Sequence, residues 1–392
     1  MIVRKLNGSE RYDANLISVF CFHERISDPE ARRTEIEKQT VEDWGAFDED
    51  GALMARVINH RFEFYIDGTK VKAGGIGAVS TLPEYRESGA IKQIFQKLLK
   101  EAYENGEVIS TLFPFNHAFY RKQGYEVVTF QNNYELNPGL LGDYKFSGKV
   151  IRWNPGESVE EYLEIYNTFI KAFNFSMPRT AQQMAEHMKV DRLYQDRKFS
   201  YLLKEDGENV AYLTFTDIRN NPAAILHVEE CAWINAKGFR AILAFLGRFT
   251  ADYGMIQLPL PFGIDLLRIL RSPRAYELHK SSRFDFMVRA INVPKLLEVM
   301  KKPKDCDFVI QVYDESIEEN NGVWRVTNDS VESYQGTEQP DIAVNQRELA
   351  CLATGCLSVT EAKLLPGVVV ANKEEMLSRV FREKMIFVGE HF

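Results

Sequence analysis

The sequence predicts a mixed α/β protein in which two related α/β units precede a smaller α+β unit. The chain has 392 residues, enough for two or three domains of about 150 residues each. An order of hairpin, strand, junction and helix occurs twice, which we interpret as an internal repeat. Near Phe286 this order gives way to another mixture of strands and helices. We therefore predict domains at residues 1–150, 151–285 and 286–392.

The composition argues against several classes of protein. A net charge of −8 disfavours nucleic-acid binding through a basic face. The first residues, MIVRKLNGSE, lack the apolar centre of a signal peptide, and no apolar run approaches the roughly 20 residues that cross a bilayer. The cysteines form no Cys-x-x-Cys pair and the histidines show no paired spacing, so we expect neither a disulfide framework nor a metal site. We expect a cytoplasmic protein without a membrane partner.

The first copy of the repeat contains the stretch RFEFYIDGTKVKAGGIGAVST. Two β-rich runs flank Asp67-Gly68, a dipeptide typical of two-residue hairpin turns. The segment after the junction is predicted to be an amphipathic helix, because its apolar residues follow a spacing of three and four. These apolar residues are Ile91, Ile94, Phe95, Leu98, Leu99 and Ala102.

The second copy repeats this order. KFSYLLKEDGENVAYLTFTDI carries another Asp-Gly turn at Asp206-Gly207, AILHVEECAWI predicts a strand, and AKGFRAILAFLGRFTADYG predicts a helix. Its junction, NAKGFRA, keeps a glycine but has no arginine where the first junction, EYRESGA, has Arg86. We therefore expect only the first junction to hold a ligand.

The segment after Phe286 is predicted to be the α+β unit. Asn321-Gly322 indicates a hairpin within DFVIQVYDESIEENNGVWRVTN, between strands of alternating apolar residues. DIAVNQRELACLATG and KEEMLSRVFREKM follow, and the second of these predicts a helix.

The first junction, Arg86-x-x-Gly89-Ala90, is the strongest candidate binding site. A strand, a tight glycine turn and a helix direct free backbone N–H groups and the positive end of the helix dipole to one point, where anions bind. The junction has neither the G-x-G-x-x-G of dinucleotide sites nor the Gly-Lys-Ser/Thr of a P-loop. It resembles the R/Q-x-x-G-x-G/A pyrophosphate loop of the GNAT acetyltransferase superfamily, with Ile91 in place of the last small residue. By itself it is equally compatible with an ordinary helix start.

The stretch TLFPFNHAFYRKQGYEVV resembles a second GNAT pattern, N-x-x-x-[FY]-Y-x-x-x-G-[FY]. Asn116, Tyr120, Gly124 and Tyr125 supply its residue types, although Tyr120 follows Asn116 by four residues rather than five. In the superfamily the asparagine touches the coenzyme arm and the tyrosine hydroxyl faces the thioester sulfur. The alternative is that Tyr120 is a half-buried aromatic residue without a catalytic role.

With both motifs in order, the resemblance implies acetyl-CoA as the cosubstrate and Tyr120 as a general acid. The strand before the junction would offer N–H groups to the pantetheine arm and the thioester oxygen, and the junction would hold the diphosphate. The implied cofactor-binding residues are Val79, Ser80, Thr81, Arg86, Glu87, Ser88, Gly89, Ala90 and Asn116.

Across nearly its whole length the chain resembles the enhanced intracellular survival (Eis) family of N-acetyltransferases. The resemblance implies tandem GNAT acyl-CoA N-acyltransferase folds, the first active and the second degenerate, followed by a sterol-carrier-protein-like α+β domain. It also implies that the α-carboxylate of Phe392 is the general base. Glu390 and His391 are titratable alternatives nearby in the sequence. The apolar residues expected to anchor this end are Ile386, Phe387 and Val388.

The expected function is acetyl transfer from acetyl-CoA to a primary amine of a small molecule. The family suggests aminoglycosides, an acidic acceptor pocket and a homohexamer, and the candidate pocket carboxylates are Glu24, Asp28 and Glu30. One alternative is a different acyl or aminoacyl transferase, because tandem GNAT folds also occur in N-myristoyltransferase and in peptidoglycan-bridge enzymes. The other alternative is a carrier of lipid or another apolar ligand that uses the C-terminal domain.

Overall fold

The structure, a computed structural model, describes residues 1–39, 41–128, 130–189, 197–220, 223–271, 277–390 and 392. The chain divides into two compact units. The first unit comprises residues 1–128, 285–383 and 390–392, and the second comprises residues 129–284 and 384–389. The predicted first domain ends at residue 150. In the structure, residues 129–150 belong to the second unit instead.

Strands and helices alternate along most of the chain. The strands are β1 (Ile2–Lys5), β2 (Glu42–Phe47), β3 (Leu53–Ile66), β4 (Thr69–Thr81), β5 (Ile109–Leu112), β6 (Glu126–Val127), β7 (Gln131–Leu136), β8 (Lys149–Arg152), β9 (Arg197–Glu205), β10 (Glu208–Asn220), β11 (Ala223–Trp233), β12 (Met255–Pro261), β13 (Leu278–Arg283), β14 (Met287–Ala290), β15 (Asp307–Tyr313), β16 (Gly322–Thr327), β17 (Val331–Ser333), β18 (Ile342–Asn345) and β19 (Val369–Val370). The helices are α1 (Gly8–Phe22), α2 (Pro29–Lys38), α3 (Ala90–Glu104), α4 (His117–Arg121), α5 (Glu160–Phe169), α6 (Ala181–Met188), α7 (Ala236–Leu246), α8 (Val293–Val299), α9 (Gln346–Thr354), α10 (Val359–Ala362) and α11 (Glu374–Val380). Among the described residues, no helix combines the length and the apolar character that spanning a bilayer requires.

A mixed sheet organises the N-terminal part of the first unit. Its described strands follow the order β1-β2-β3-β4-β5-β14-β6. β4 and β5 are parallel because α3 connects them as a crossover, and the other neighbouring strands are antiparallel. β14 lies between β5 and β6, so a segment that is distant in the sequence completes this sheet.

Two local predictions in this part of the chain are confirmed. Asp67 and Gly68 form the turn between β3 and β4, with φ angles of 50° and 83°, the left-handed values that a type I′ turn requires. The predicted amphipathic helix is α3, which packs against the sheet, although Ile91 is only partly buried. The buried residues of α3 are Ala90, Ile94, Phe95, Leu98, Leu99 and Ala102.

The second unit contains a sheet with the order β13-β7-β12-β11-β10-β9-β8. Its β11 and β12 are parallel neighbours connected through α7, as β4 and β5 are connected through α3 in the first sheet. This match agrees with the internal repeat. The two Asp-Gly turns are not equivalent, however, because Asp206-Gly207 joins β9 to β10, one hairpin further from the helix than Asp67-Gly68.

A smaller sheet with the order β17-β16-β15-β18-β19 belongs to the first unit. β15 and β16 are antiparallel neighbours as predicted, but Asn321-Gly322 is not a tight turn between them, because Val312 pairs with Gly322 and residues 313–321 form the connection. Asn321 has a φ of −73°, whereas a type I′ turn needs a positive φ. Its side chain instead donates to the Asp314 carbonyl at 2.7 Å. The prediction of a two-residue turn is wrong because this side chain closes a longer loop.

A carboxyl group is buried beside β4, at Glu107. The residue is 3% exposed and accepts a hydrogen bond of 3.4 Å from the Asn59 amide group. Burial, followed by the charge of Glu42, raises the pKa of Glu107 to about 7. Oε2 of Glu107 and Oδ1 of Asn59 have no hydrogen-bond partner among the described residues, and each lies 2.6 Å from the position that a Cβ on Gly74 would occupy. A proton on Glu107 suits these surroundings.

We expect the Glu107→Gln variant to have a higher free energy of unfolding than the wild type, by an amount that increases as the pH rises from 5 to 8. Between the ordinary pKa of 4.5 and the folded value of about 7, the folded state binds more protons than the unfolded state. The free energy of unfolding of the wild type therefore falls as the pH rises through this range. Glutamine removes that loss, which amounts to roughly 2 kcal/mol at pH 8. Urea unfolding at pH 5 and pH 8 measures the effect, and Glu37→Gln, at an exposed residue, is the control. A stability difference between Glu107→Gln and the wild type that does not change with pH would contradict the prediction.

Candidate active site

The open edge of β4 is the starting point of the site. β5 ends at Leu112, which pairs with Ile76, whereas β4 continues to Thr81. From Gly77 onward, the edge of β4 that faced β5 has no strand partner among the described residues. Its backbone N–H and C=O groups are therefore available to a ligand that lies along the strand.

A β-bulge changes the direction of β4 at the start of this edge. The register shifts where one residue of β3 stands opposite two residues of β4, Ala78 and Val79. Ala78 has a φ of 50°, a left-handed conformation that strains an alanine. Such bulges are common next to active sites, where they turn backbone groups out of the ladder. The flanking pairs are Ile58 with Gly77 and Arg56 with Ser80.

A buried hydrogen-bond network supports the bulge. Arg56 is 1% exposed and donates from Nε and Nη2 to the Asp43 carboxylate at 2.9 and 2.6 Å. Its Nη1 donates to Ser18 Oγ at 3.3 Å, and the hydroxyls of Ser18 and Ser80 lie 3.1 Å apart. Ser80 Oγ in turn donates to the Ala78 carbonyl at 3.1 Å. The strained peptide is thus connected to a paired, buried charge, which holds it in place.

The junction after β4 leaves the first turn of α3 open. Gly89, with a φ of 80°, is the N-cap of α3 and offers no side-chain cap. Glu87 also has a positive φ, 67°. The Ala90 amide donates to Ser88 Oγ at 3.4 Å, which is long for a hydrogen bond. N–H groups in the first turn of a helix that no cap satisfies can bind an anion.

These two features meet in one cleft of about 620 Å³, a volume in the usual range for small-molecule sites. Val79 to Thr81 line the cleft from β4, and Arg86 to Ala90 line it from the junction. The structure therefore brings together the predicted cofactor-binding residues other than Asn116. Ile91, the departure from the motif, lines the cleft without closing it. The other lining residues are Cys21, Phe22, Tyr85, Lys92, Phe115, Phe119 and Gln123.

Asn116 has a structural role that the sequence analysis did not anticipate. It is the N-cap of α4, and its Oδ1 accepts a hydrogen bond from the Phe119 amide at 3.0 Å. This bond satisfies an N–H group that would otherwise lack a partner at the start of the helix. Contact between Asn116 and a coenzyme arm stays a prediction.

Tyr120 lies on α4 and is 2% exposed. Its ring packs against four aromatic rings, with centroid distances between 5.1 and 6.5 Å. Its hydroxyl has no hydrogen-bond partner among the described residues. Burial, followed by the nearby Tyr125, raises the pKa of Tyr120 well above its ordinary value of about 10. The hydroxyl is therefore protonated at neutral pH and can donate a proton. The four rings belong to Phe95, Phe115, Phe119 and Tyr125.

Phe392 packs within the first unit. Its ring contacts those of Phe62 and Phe113 at centroid distances of 4.8 and 5.5 Å. The ring approaches β4 so closely that a Cβ on Gly75 would lie 2.7 Å from its Cε2 atom. A larger residue at position 75 would therefore displace it. These contacts hold the residue against β3 and β4.

The backbone carbonyl group of Phe392 lies near the bulge. Its carbon atom is 3.9 Å from the position that a Cβ on Gly77 would occupy, and His60 Nε2 is 3.2 Å from the same position. Burial, followed by the charge of Arg56, lowers the pKa of His60 to about 4. His60 is therefore neutral at neutral pH. His60 and the carbonyl carbon of Phe392 thus both lie beside Gly77, the residue that precedes Ala78.

The segment that leads to Phe392 is held in the second unit. Residues 384–389 belong to that unit, and within it the Ile386 amide donates to the Phe262 carbonyl at 3.3 Å. Arg179 donates to the Gly389 carbonyl at 3.0 Å. His391, one of the alternative bases, lies outside the described residues. The three residues expected to anchor this segment, Ile386, Phe387 and Val388, are buried.

The candidate pocket carboxylates are engaged in local structure. Asp28 is the N-cap of α2 and accepts hydrogen bonds from the Glu30 and Ala31 amides at 3.1 and 3.0 Å. Glu30 lies in the first turn of the same helix, where a negative charge is favourable. Glu24 lies 3.7 Å from Arg32. A role of these carboxylates in binding an amine stays a prediction.

The junction of the second repeat differs from the first in its capping. Asn235 caps α7, and its Oδ1 accepts hydrogen bonds from the amides of Lys237 and Gly238 at 2.9 and 3.0 Å. This side chain occupies N–H groups of the kind that α3 leaves open. The difference agrees with the expectation that only the first junction holds a ligand.

Sequence reasoning missed the residues behind the bulge and around Phe392. Arg56 and His60 stand in the strand segment MARVINHRF, at positions two and six residues after Met54. A charged residue within an apolar strand was a usable signal, because a buried charge needs a partner. Phe62 and Phe113 gave no such signal, since aromatic residues are frequent in strands of any function.

Two protein-family models match parts of the sequence. The acetyltransferase (GNAT) domain matches residues 3–128, and the sterol carrier protein domain matches residues 293–388. These ranges lie within the predicted first and third domains. A search of curated proteins finds no match.

Solved structures share the fold over the whole chain. Eis1 from Mycobacterium abscessus is 18% identical, with a TM-score of 0.84 and coverage of 100% of both chains. A GCN5-related N-acetyltransferase from Anabaena variabilis ATCC 29413 is 19% identical, with a TM-score of 0.86 and the same coverage. A conserved protein of unknown function from Enterococcus faecalis V583, described as a probable N-acyltransferase, is 17% identical, with a TM-score of 0.86 and coverage of 100% of this chain and 99% of that one. The predicted fold class is confirmed.

Proposed function

We propose that the chain transfers acetyl from acetyl-CoA to a primary amine of a small molecule. In support, residues 3–128 match the acetyltransferase (GNAT) domain, residues 293–388 match the sterol carrier protein domain, and the fold is similar to that of Eis1. The observation that carries the proposal is the cleft in which the open edge of β4 meets the uncapped start of α3. A ligand with an extended arm and a diphosphate suits this combination, because the arm can lie along the strand edge while the helix start binds the anion.

Different residues of the cleft bind different parts of acetyl-CoA, which supplies an acetyl thioester. The amides of Glu87 to Ala90 and the Arg86 guanidinium hold the diphosphate, since both are donors suited to phosphate oxygens. The backbone of Val79 to Thr81 pairs with amide groups of the arm along the open edge. The bulge at Ala78 turns an N–H group towards the thioester oxygen, where negative charge develops during attack.

Tyr120 acts as the general acid in this proposal. The departing thiolate requires a proton, and a tyrosine whose pKa is raised by burial keeps its proton at neutral pH. Its hydroxyl makes no hydrogen bond to another described residue, so donating the proton breaks no interaction seen in the structure. The alternative of a purely structural tyrosine predicts no loss of turnover when the hydroxyl is removed.

The Phe392 carboxylate acts as the general base. Phe62 and Phe113 hold its ring, and the carboxylate lies next to Gly77 at the start of the open edge. There it can take the proton that a primary ammonium loses before its nitrogen attacks the thioester. The neutral His60 beside it adds no positive charge that would repel an arriving ammonium.

The acceptor is proposed to be a primary amine, with aminoglycosides and polyamines as candidates. One carboxylate beside several aromatic rings can receive an ammonium group through charge pairing and cation–π contacts. Resemblance to the Eis family also suggests a cytoplasmic homohexamer.

A turnover assay tests the proposed function. The purified full-length chain is incubated with acetyl-CoA and a panel of aminoglycosides, polyamines and arylalkyl amines, while CoA thiol release and the mass of each acceptor are measured. We expect amine-dependent thiol release together with acceptors that gain the mass of one or more acetyl groups. Release of CoA without acetylated amine would contradict the proposal. Chemistry with another acyl-CoA alone would favour a different acyltransferase, and bound lipid without any CoA-dependent chemistry would favour the carrier alternative.

A further inference from the structure

The segment that carries Tyr120 bridges two strands that are not neighbours. Residues 113–125, which include α4, connect β5 to β6. β14 lies between these strands and pairs with both of them. The connection that holds Tyr120 therefore passes from one side of β14 to the other. Residues of β14 and of the chain that follows it are close to this connection.

Two side chains from beyond residue 285 bind the turn at the end of this connection. Arg289 of β14 donates from Nη1 to the Gln123 carbonyl at 2.8 Å. Gln346, the first residue of α9, donates from Nε2 to the Gly124 carbonyl at 2.7 Å. The Oε1 atom of Gln346 also accepts a hydrogen bond from the Ala290 amide at 3.2 Å. Both carbonyls of the turn are therefore held by the later part of the chain.

The same turn is bonded directly to the backbone of Tyr120. The Tyr120 carbonyl accepts hydrogen bonds from the Gln123 amide at 2.9 Å and from the Tyr125 amide at 3.1 Å. α4 has five residues, far fewer than the roughly 12 to 15 that an isolated helix needs for marginal stability. Its position must therefore depend on contacts with the rest of the protein. The packing of the Tyr120 ring provides some of these contacts, and the held turn fixes the backbone at the end of the helix.

Gly124 shows how closely the guanidinium fits this turn. Its φ is 81°, a value that favours glycine. A Cβ there would lie 1.7 Å from Arg289 Nη1 and 2.5 Å from Gln346 Nε2. The donors of both side chains thus occupy the space that any other residue would need. The glycine of the motif is explained by this contact as well as by the turn.

Asp314 fixes the guanidinium. Arg289, which is 1% exposed, also donates from Nη2 to the Asp314 carboxylate. That carboxylate further accepts hydrogen bonds from Asn320 Nδ2 at 2.8 Å and from the Ser316 amide at 2.9 Å. Arg289 Nε has no hydrogen-bond partner among the described residues, but the Asp314 carboxylate is well supplied with donors. Breaking the buried ion pair would leave a charge unpaired, so the pair holds the guanidinium. The donor to Gln123 is consequently held in one place.

We propose that Arg289 and Gln346 are positioning residues that hold Tyr120 in place for proton donation, through the turn at residues 123–124. The inference rests on the proposed function, in which Tyr120 is the general acid. It gives the part of the chain beyond residue 285 a role in turnover that is separate from supplying the Phe392 carboxylate. Neither Gln346 nor Gly124, whose carbonyl it holds, lines the cleft. Loss of the Gln346 side chain is therefore expected to lower kcat with little change in the KM for acetyl-CoA.

The test uses two substitutions in the full-length protein. Gln346→Met removes both side-chain hydrogen bonds without leaving a buried charge, and we expect kcat to fall about tenfold, since a misplacement of about 1 Å can lower a rate by 10². Arg289→Lys keeps the charge beside Asp314 but loses the second donor nitrogen, and we expect a smaller fall. Gln311→Met, on β15, is the matched control, and circular dichroism and thermal unfolding show whether each variant is folded.

A double-mutant cycle distinguishes positioning from a general structural effect. In the Tyr120→Phe background, Gln346→Met should lower kcat by less than twofold, because the proton donor that it positions is already absent. An equal fall in both backgrounds, or a folded Gln346→Met protein with wild-type kcat, overturns the inference while the proposed function stands. Wild-type kcat in Tyr120→Phe removes both the proposed acid and its positioning residues. Absence of acetyl transfer by the wild type overturns the proposed function itself.

Discussion

Tyr120→Phe is expected to lower kcat at least about tenfold and to leave the KM for acetyl-CoA nearly unchanged. A positioned acid typically contributes about 10² to 10⁴ in rate. Phenylalanine keeps the ring and its packing against Phe95 and Phe119, so only the hydroxyl is lost. That hydroxyl has no hydrogen-bond partner among the described residues, and stability should therefore change little. Steady-state kinetics and thermal unfolding measure the two effects separately.

Tyr162→Phe is the matched control for this substitution. Tyr162 is 3% exposed, burial likewise raises its pKa, and it lies in the second unit. Removing its hydroxyl should leave kcat at the wild-type value.

Because burial also raises the pKa of Tyr120, we expect no loss of wild-type kcat from its deprotonation up to pH 10. Undiminished turnover by a folded Tyr120→Phe protein would remove the tyrosine from the mechanism.

The second large effect is expected at Phe392. A short peptide tag added after Phe392 should lower kcat/KM at least about tenfold, because the carboxylate becomes a peptide carbonyl that cannot accept the proton. The added residues would also disturb the contacts of the Phe392 ring with Phe62 and Phe113. The same tag placed before Met1, which is exposed, is the control and should leave activity intact.

A second variant separates the position of the carboxylate from its presence. Gly75→Ala places a methyl group 2.7 Å from the Phe392 ring and 2.4 Å from Phe62, so the ring must shift while the carboxylate is retained. We expect an intermediate loss of kcat/KM. Full activity of a C-terminally tagged protein, shown by mass spectrometry to be uncleaved, would contradict the assignment of the Phe392 carboxylate as the general base.

The features that the sequence revealed were those with short-range causes. The Asp67-Gly68 turn depends on the φ preferences of two residues, and the buried face of α3 follows from a spacing of three and four. The open start of α3 was visible in the same way, because Gly89 cannot cap a helix with a side chain. Such signals lie within a few residues of the structure that they specify.

The features that it concealed depend on contacts across long distances in the sequence. Nothing within Met287 to Ala290 indicates that these residues pair with β5 and β6 rather than with their own domain. The bulge at Ala78 depends on the register of β3 and on a network that reaches Ser18. Asn321-Gly322 misled for a related reason, since the partner of the Asn321 side chain is the Asp314 carbonyl, seven residues away.

The placement of β14 has a consequence for synthesis on the ribosome. When residues 1–128 have emerged, β14 has not yet been synthesised, because it begins at Met287. β5 and β6 therefore lack the strand that will lie between them. At about 5 to 20 residues per second, translation leaves these edges unpaired for on the order of ten seconds. Exposed strand edges recruit other strands. The nascent first domain is therefore vulnerable to misassembly during this interval, and chaperone binding at this stage would protect it until its last strand arrives.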